Sequence, residues 1–114
     1  MRREKLYLDD IVQACDDIAG FLEGFDLQVF VQDARTQGVI LQRLIVIGEA
    51  ASRLPDDFKE AHPEVDWFAI VGLRNRIVHA YFHIELPIIW EAATRESPHL
   101  RDQIKDMLRA DFGA

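Results

Sequence analysis

Apolar residues recur at intervals of three and four along almost the whole chain, which places them on one face of successive α-helices. The first helix predicted in this way ends near Gly24. Its apolar face consists of Leu8, Ile11, Val12, Cys15, Ile18, Ala19 and Leu22. No segment alternates apolar and polar residues as a half-buried β-strand does. The pattern therefore predicts an all-α protein.

A second and longer helix is predicted to stop at Pro55, because proline interrupts the hydrogen bonding of a helix interior. Its apolar residues are Val39, Ile40, Leu44, Ile47, Ala51 and Leu54. Residues 55–65 contain two prolines and several charges, so they form a connection with room for one short helical turn. Asp66 is a suitable N-cap for a third helix, from Trp67 to about Ala80.

The end of the chain predicts one more apolar stripe and a terminal helix. The stripe consists of Leu86, Ile89, Trp90 and Ala93. Ser97 and Pro98 are a suitable N-cap and first-position pair for a helix through Leu108. Together the segments predict a compact bundle of four to five helices. The 114 residues, 49% of them hydrophobic, suffice for the core of one domain that spans residues 1–114.

Charge and cysteine content exclude several classes of protein. The net charge of -7 argues against binding nucleic acid through a general positive surface, so any RNA contact must be local. The single cysteine, Cys15, has no second thiol for a disulfide or a zinc site, and we expect it in the core. No apolar run is long enough to span a membrane or act as a signal, which predicts a cytoplasmic protein. His62, His83 and His99 lack the spacing of metal ligands, so neither a metal nor another cofactor is predicted.

The segment from Gly72 to Tyr81 carries the residues with the clearest chemistry. Arg74 is separated from His79 by four residues, and His79 is separated from Tyr81 by one. That spacing alone is a weak signal, because arginine and histidine fall five apart by chance in many proteins. Other short motifs flank it. They are Gly48-Glu49-Ala50-Ala51, His62-Pro63 followed by Asp66-Trp67, and Trp90-Glu91.

In this order and at these separations the motifs resemble the HepT-like branch of the HEPN superfamily, from about Leu8 to about residue 104. The resemblance implies an HEPN-like fold and a homodimeric RNA endonuclease toxin with Arg74, His79 and Tyr81 at a cleft between protomers. It also implies a minimal nucleotidyltransferase as the antitoxin, which in this family can silence the toxin by transferring AMP to the motif tyrosine, here Tyr81. Such a pair forms a type VII-like toxin–antitoxin system.

The geometry of the motif can also be considered without the family. At about 100° per residue, Arg74 and Tyr81 lie one above the other on a continued helix, whereas His79 is rotated by about 140° from Arg74. Either the helix unwinds before His79, or the working site combines residues from two copies of the helix. We favour a two-fold homodimer, because it brings the same patch of each subunit together.

Arg74 shares its helix face with apolar residues, which predicts a carboxylate nearby. These neighbours are Trp67, Ile70, Val71, Ile77 and Val78. An unpaired buried guanidinium would be very costly, and Glu49 on the preceding helix is the first candidate for its structural partner. His79 instead shares its face with Gly72, Asn75 and Arg76. The glycine leaves room for substrate or for a second helix.

Cleavage of RNA without a metal requires that the 2′-hydroxyl lose a proton, that the pentavalent phosphate be stabilised and that the 5′-oxygen gain a proton. Histidine exchanges protons near neutral pH, and arginine binds phosphate oxygens with two parallel hydrogen bonds. We therefore predict His79 as the general acid or base and Arg74 as the phosphate stabiliser. Asn75 and Arg76 are predicted to help bind substrate, and Tyr81 to position RNA or to accept AMP.

Structural interpretations of the same residues stay open. A histidine near a helix end is more often a cap or a surface residue, Tyr81 also suits a core aromatic, and Arg76 also suits a solvated charge. At the level of function, the alternatives are a non-catalytic HEPN module that binds a nucleotide or a partner and an ordinary helical dimerisation protein. The intact Arg74 and His79 favour the enzyme.

Overall fold

The computed structural model describes residues 2–80 and 83–113, for Arg2 the backbone only, and the regular structure of these residues is entirely helical. The elements are α1 (Arg2–Phe21), α2 (Leu27–Phe30), α3 (Ala34–Arg53), α4 (Asp56–Ala61), α5 (Trp67–Ala80), α6 (Leu86–Glu91), a π-helical segment (Ala92–Glu96) and α7 (Ser97–Phe112). Since the described residues contain no strand, the predicted all-α class is confirmed. The long elements form the predicted bundle, and α2 and α4 are short additions.

Local sequence signals explain where several helices begin and end. Asp66 accepts a hydrogen bond from the backbone N–H of Ala69 at 3.0 Å, which confirms it as the cap of α5. Helix α3 ends at Arg53, and Leu54 has an extended backbone with ψ 139°, the conformation that a following proline favours. The connection that was predicted to have room for one helical turn contains α4.

The C-terminal part of the chain forms one uninterrupted helical run. Helix α6, the π-helical segment and α7 follow one another without a break. Ser97 has helical backbone angles (φ -62°, ψ -47°) and is only 4% exposed, so the prediction that it caps a new helix was wrong. The wider π-turn explains the continuity, because it precedes Pro98, whose ring would clash with the carbonyl of Thr94 in a regular α-helix.

Helix α1 lies at the centre of the bundle. Helices α3 and α7 both pack on it, and α5 packs principally on α3. The largest fully buried side chains are Leu8, Ile11, Ile18, Phe30, Ile40, Ile77, Ile89 and Ile104. Cys15 is 3% exposed, which confirms it as a core residue. Within the described part of the chain, no helix combines the length and the apolar character needed to cross a bilayer.

Candidate active site

Arg74 lies where α5 packs on α3, and two acceptors hold its guanidinium. Nη2 of Arg74 donates to Oε2 of Glu49 on α3 at 2.6 Å, and Nη1 donates to Oδ1 of Asn75 at 2.9 Å. Nε is buried and has no hydrogen-bond partner among the described residues. Glu49, the first candidate from the sequence, is thus the carboxylate that pairs with Arg74.

The ion pair of Arg74 and Glu49 is only partly buried. The two side chains keep 26% and 39% of their area exposed. The reason is that the apolar stripe around Arg74 is covered unevenly, since Ile77 is buried whereas Val78 is 42% exposed. The guanidinium can therefore be reached by a ligand from solvent.

His79 lies in the last turn of α5, on a different side of the helix from Arg74. The helix continues to Ala80, so the alternative in which it unwinds before His79 is not observed. At about 100° per residue, the two side chains leave the helix about 140° apart. The exposed polar residues here are Asn75, Arg76 and His79. A single copy of α5 does not bring Arg74 and His79 to one point, and Tyr81 lies outside the described residues.

Four residues of α5 line up opposite the side that packs on α3, and this surface is termed the outer face. It consists of Phe68, Gly72, Asn75 and His79, which fall within about 60° of one another on the helix. Phe68 is 90% exposed, which is unusual for a large apolar side chain. A solvent-exposed aromatic ring in line with a histidine makes the outer face the candidate contact surface of the protein.

A groove of about 370 Å³ lies between α3, α5, the π-helical segment and α7. Its floor is apolar, and its rim includes the carboxylates of Glu64, Asp66 and Glu96. None of the residues predicted for catalysis lines it. An acidic rim repels phosphate, so this groove does not suit RNA.

His62 has a structural role that the sequence did not indicate. Its Nε2 lies 3.0 Å from Oδ2 of Asp111, and its Nδ1 lies 3.4 Å from Oε2 of Glu64. The ring also packs against Phe58, with 4.6 Å between the ring centroids. These contacts hold the connection before α5 against the end of α7. No local sequence pattern predicts them, because Asp111 is distant in sequence from His62. Among the described residues, no three His, Cys, Asp or Glu side chains are grouped as metal ligands.

The sequence of this helical bundle matches a known class of protein. A family model described as Ribonuclease HepT-like matches residues 11–107, which is most of the chain. The chain therefore belongs to the HepT-like ribonuclease family, and the resemblance inferred from its motifs is confirmed.

Individual relatives match over nearly their full lengths. A candidate RNase from Caldanaerobacter subterraneus subsp. tengcongensis is 34% identical over 111 residues, which cover 97% of this chain and 99% of the relative. A candidate HepT ribonuclease from Thermococcus cleftensis is 32% identical over 106 residues, which cover 93% and 96%. A candidate RNase from Methanocaldococcus jannaschii is 32% identical over 105 residues, which cover 92% and 87%. No solved structure matches the chain.

Proposed function

We propose that this protein is a metal-independent endoribonuclease toxin whose active site is assembled from two copies of α5. Its family and the ribonuclease names of its relatives support the activity. The observation that carries the proposal is the outer face of α5, where His79 is exposed in line with Phe68 while Arg74 points elsewhere. A second copy of the chain is the molecule that would complete such a site.

The outer face suits a two-fold homodimer, in which it would pack against itself. Apart from the backbone of α5 itself, no heavy atom of the described residues lies within 4 Å of the place where a Cβ on Gly72 would stand, so another helix has room to approach there. Phe68 would supply the apolar anchor of the interface. The two His79 side chains would then approach each other at the interface, and Arg74, which is held beside α3 by Glu49, would border the cleft that the two copies form.

In the proposed reaction, the 2′-oxygen of RNA attacks the adjacent phosphorus, and the bond from phosphorus to the 5′-oxygen breaks. His79 takes the proton of the 2′-hydroxyl or gives one to the departing 5′-oxygen, and water accepts or supplies the other proton. Arg74 stabilises the negative charge that grows on the pentavalent phosphate. The products are a 2′,3′-cyclic phosphate and a 5′-hydroxyl. Asn75 and Arg76 are both exposed and would contact the flanking nucleotides.

Cleavage of a fluorescent RNA in excess EDTA tests this activity. We expect the wild-type chain to turn over repeatedly and His79→Ala to lose at least ~100-fold in rate with an unchanged melting temperature. The matched control is His99→Ala, since His99 is also exposed but lies on α7. Wild-type protein that binds RNA without cutting it would support the non-catalytic module instead, and cleavage only with added metal would overturn metal independence.

The proposed partner is a minimal nucleotidyltransferase antitoxin that transfers AMP from ATP to the hydroxyl of Tyr81, with pyrophosphate as the leaving group. The modification would add a negatively charged phosphodiester and a base two residues after His79, which would block RNA by size and by charge. Intact-mass measurement after incubation with the partner, ATP and Mg²⁺ tests this. AMP increments that vanish in Tyr81→Phe support the proposal, whereas increments that persist, or silencing without added mass, contradict it.

A further inference from the structure

Gly48 marks the place where α3 and α5 come closest. It is buried, and a Cβ built on it would stand 2.1 Å from Cβ and 2.7 Å from Cγ of Arg74. The carbonyl oxygen of Ile70 would lie 3.4 Å away. A Cβ built on Gly38, on the same helix, would meet no atom of the described residues within 4 Å apart from the backbone of α3 itself. Helix α3 therefore has no general need for glycine. At position 48 the missing side chain leaves the space that Arg74 occupies.

The next residue of α3 fixes the other end of the same side chain. Glu49 accepts the 2.6 Å hydrogen bond from Nη2 of Arg74. Two consecutive residues of α3 thus determine where Arg74 lies, Gly48 at its base and Glu49 at its tip. Since the atoms against Gly48 are at the base of the Arg74 side chain, rotation of the guanidinium cannot relieve a clash there.

These contacts limit how Arg74 can hold a phosphate. Of the five N–H donors of a guanidinium, one is directed to Glu49 and one to Asn75. The Nε–H group is buried, so a ligand from solvent does not meet it. One donor on each terminal nitrogen is left for a ligand, and two donors of one guanidinium can bind two oxygens of the same phosphate.

We infer that Gly48 and Glu49 form a cradle on α3 that aims both terminal nitrogens of Arg74 at a single RNA phosphate, which makes Gly48 a positioning residue. This inference rests on the proposed ribonuclease function. It assigns a role in the reaction to a residue that has no side chain and touches no substrate. A methyl group at Gly48 would push α5 outward and move Arg74 without removing it.

The first experiment compares Gly48→Ala with Gly38→Ala in RNA cleavage at a temperature where both variants are fully folded. We expect kcat to fall by about 10- to 100-fold in Gly48→Ala, because misplacement of a charge-stabilising group by about 1 Å costs that much. KM should change less, since Arg74 acts mainly on the transition state. Gly38→Ala has the same added methyl group in open space and should keep the wild-type kcat. Equal kcat in the two variants would overturn the positioning role, even if Gly48→Ala were less stable.

A second experiment tests the cradle without any reference to cleavage. Arg74→Gly removes the Cβ and Cγ atoms that a methyl group on Gly48 would strike, so Gly48→Ala should lower the melting temperature less in that background than in the wild type. If the double variant does not fold, the NMR resonance of the Arg74 Nε–H group is compared instead, and it should move in Gly48→Ala but not in Gly38→Ala. A wild-type chain without ribonuclease activity would contradict the proposed function, but the melting temperatures and the NMR resonance would still test the cradle. Equal destabilisation in both backgrounds, or an unmoved resonance, would overturn the cradle itself.

Discussion

At the scale of single residues, the pair of Arg74 and Glu49 contributes orientation more than stability. Both side chains remain partly exposed, at 26% and 39%, so water screens their attraction. A fully buried pair would cost several kcal/mol to break, because one charge would be left unpaired in the interior. Here the remaining carboxylate can be solvated, so the main loss on removing Arg74 should be catalytic.

We predict that Arg74→Ala lowers the free energy of unfolding by about 1 kcal/mol and abolishes RNA cleavage. Arg74→Lys should also lose most activity, because an ammonium group lacks the planar fork that bonds Glu49 and a phosphate at once. Urea unfolding and single-turnover cleavage measure the two effects. A loss of about 3 kcal/mol or more would contradict the partial burial, and full activity of Arg74→Lys would contradict the bidentate role.

The thiol of Cys15 gives a prediction about pH. Burial raises the pKa of the Cys15 thiol from 9.0 to about 11. Because the pKa is raised in the folded state, the unfolded chain loses the thiol proton at a lower pH than the folded chain does. The contribution of the protonated thiol to stability is therefore complete below pH 9.0 and is lost as pH rises to about 11. The free energy of unfolding should fall by roughly 2 kcal/mol more in the wild type than in Cys15→Ala over that window. Parallel stability curves for the two proteins would show that the thiol does not titrate as described.

At the scale of secondary structure, apolar spacing predicted the faces of the helices better than their ends. Helix α1 was expected to end near Gly24, but it ends at Phe21, and Gly24 (φ 81°) lies in the turn that follows. The caps of α2 and α3 are Asp26 and Asp33, which each accept a backbone N–H, and neither was predicted as a cap. Ser97 was misassigned because a serine before a proline looks the same locally in a cap and in a π-turn. Burial in the tertiary structure decides between them.

Ser97→Ala distinguishes these two roles of the residue. Loss of an N-cap costs about 1 kcal/mol, whereas Ser97 is inside the helical run and its hydroxyl bonds only weakly, to the thiol of Cys15. We therefore expect the melting temperature to stay the same or to rise, with a change in stability below about 0.5 kcal/mol. Differential scanning calorimetry gives the answer. A decrease of about 1 kcal/mol would restore the cap interpretation.

At the scale of the whole molecule, the outer face of α5 is the surface that the single chain leaves unexplained. We predict that Phe68→Ser converts the proposed dimer to monomer at micromolar concentration and lowers RNA cleavage in proportion. The fold should persist, because a ring that is 90% exposed contributes little to the fold of one chain. Leu6→Ser is the control, since Leu6 is 56% exposed but lies on α1. Sedimentation velocity measures the association. A wild-type monomer, or a Phe68→Ser dimer as tight as the wild type, would contradict the composite site.

The sequence predicted which residues belong to the candidate site better than it predicted how these residues are arranged in space. The helical wheel alone led to a carboxylate beside Arg74, because a guanidinium on an apolar face needs a partner. It could not supply the role of Gly48, since the need for a glycine depends on how closely α3 and α5 approach. It could not give the geometry of the proposed cleft either, because His79 and Arg74 diverge on one continuous helix and, in our proposal, the cleft forms only between two molecules.

In the composite site that we propose, the divergence on α5 would make cleavage in the cell depend steeply on the amount of chain. An active site divided between two chains exists only in the dimer, and well below the dissociation constant the amount of dimer varies with the square of the amount of chain. Halving the supply of such a toxin would then reduce its cleavage fourfold. Dilution by growth would lower the concentration of active dimer faster than the concentration of the chain, even before an antitoxin acts.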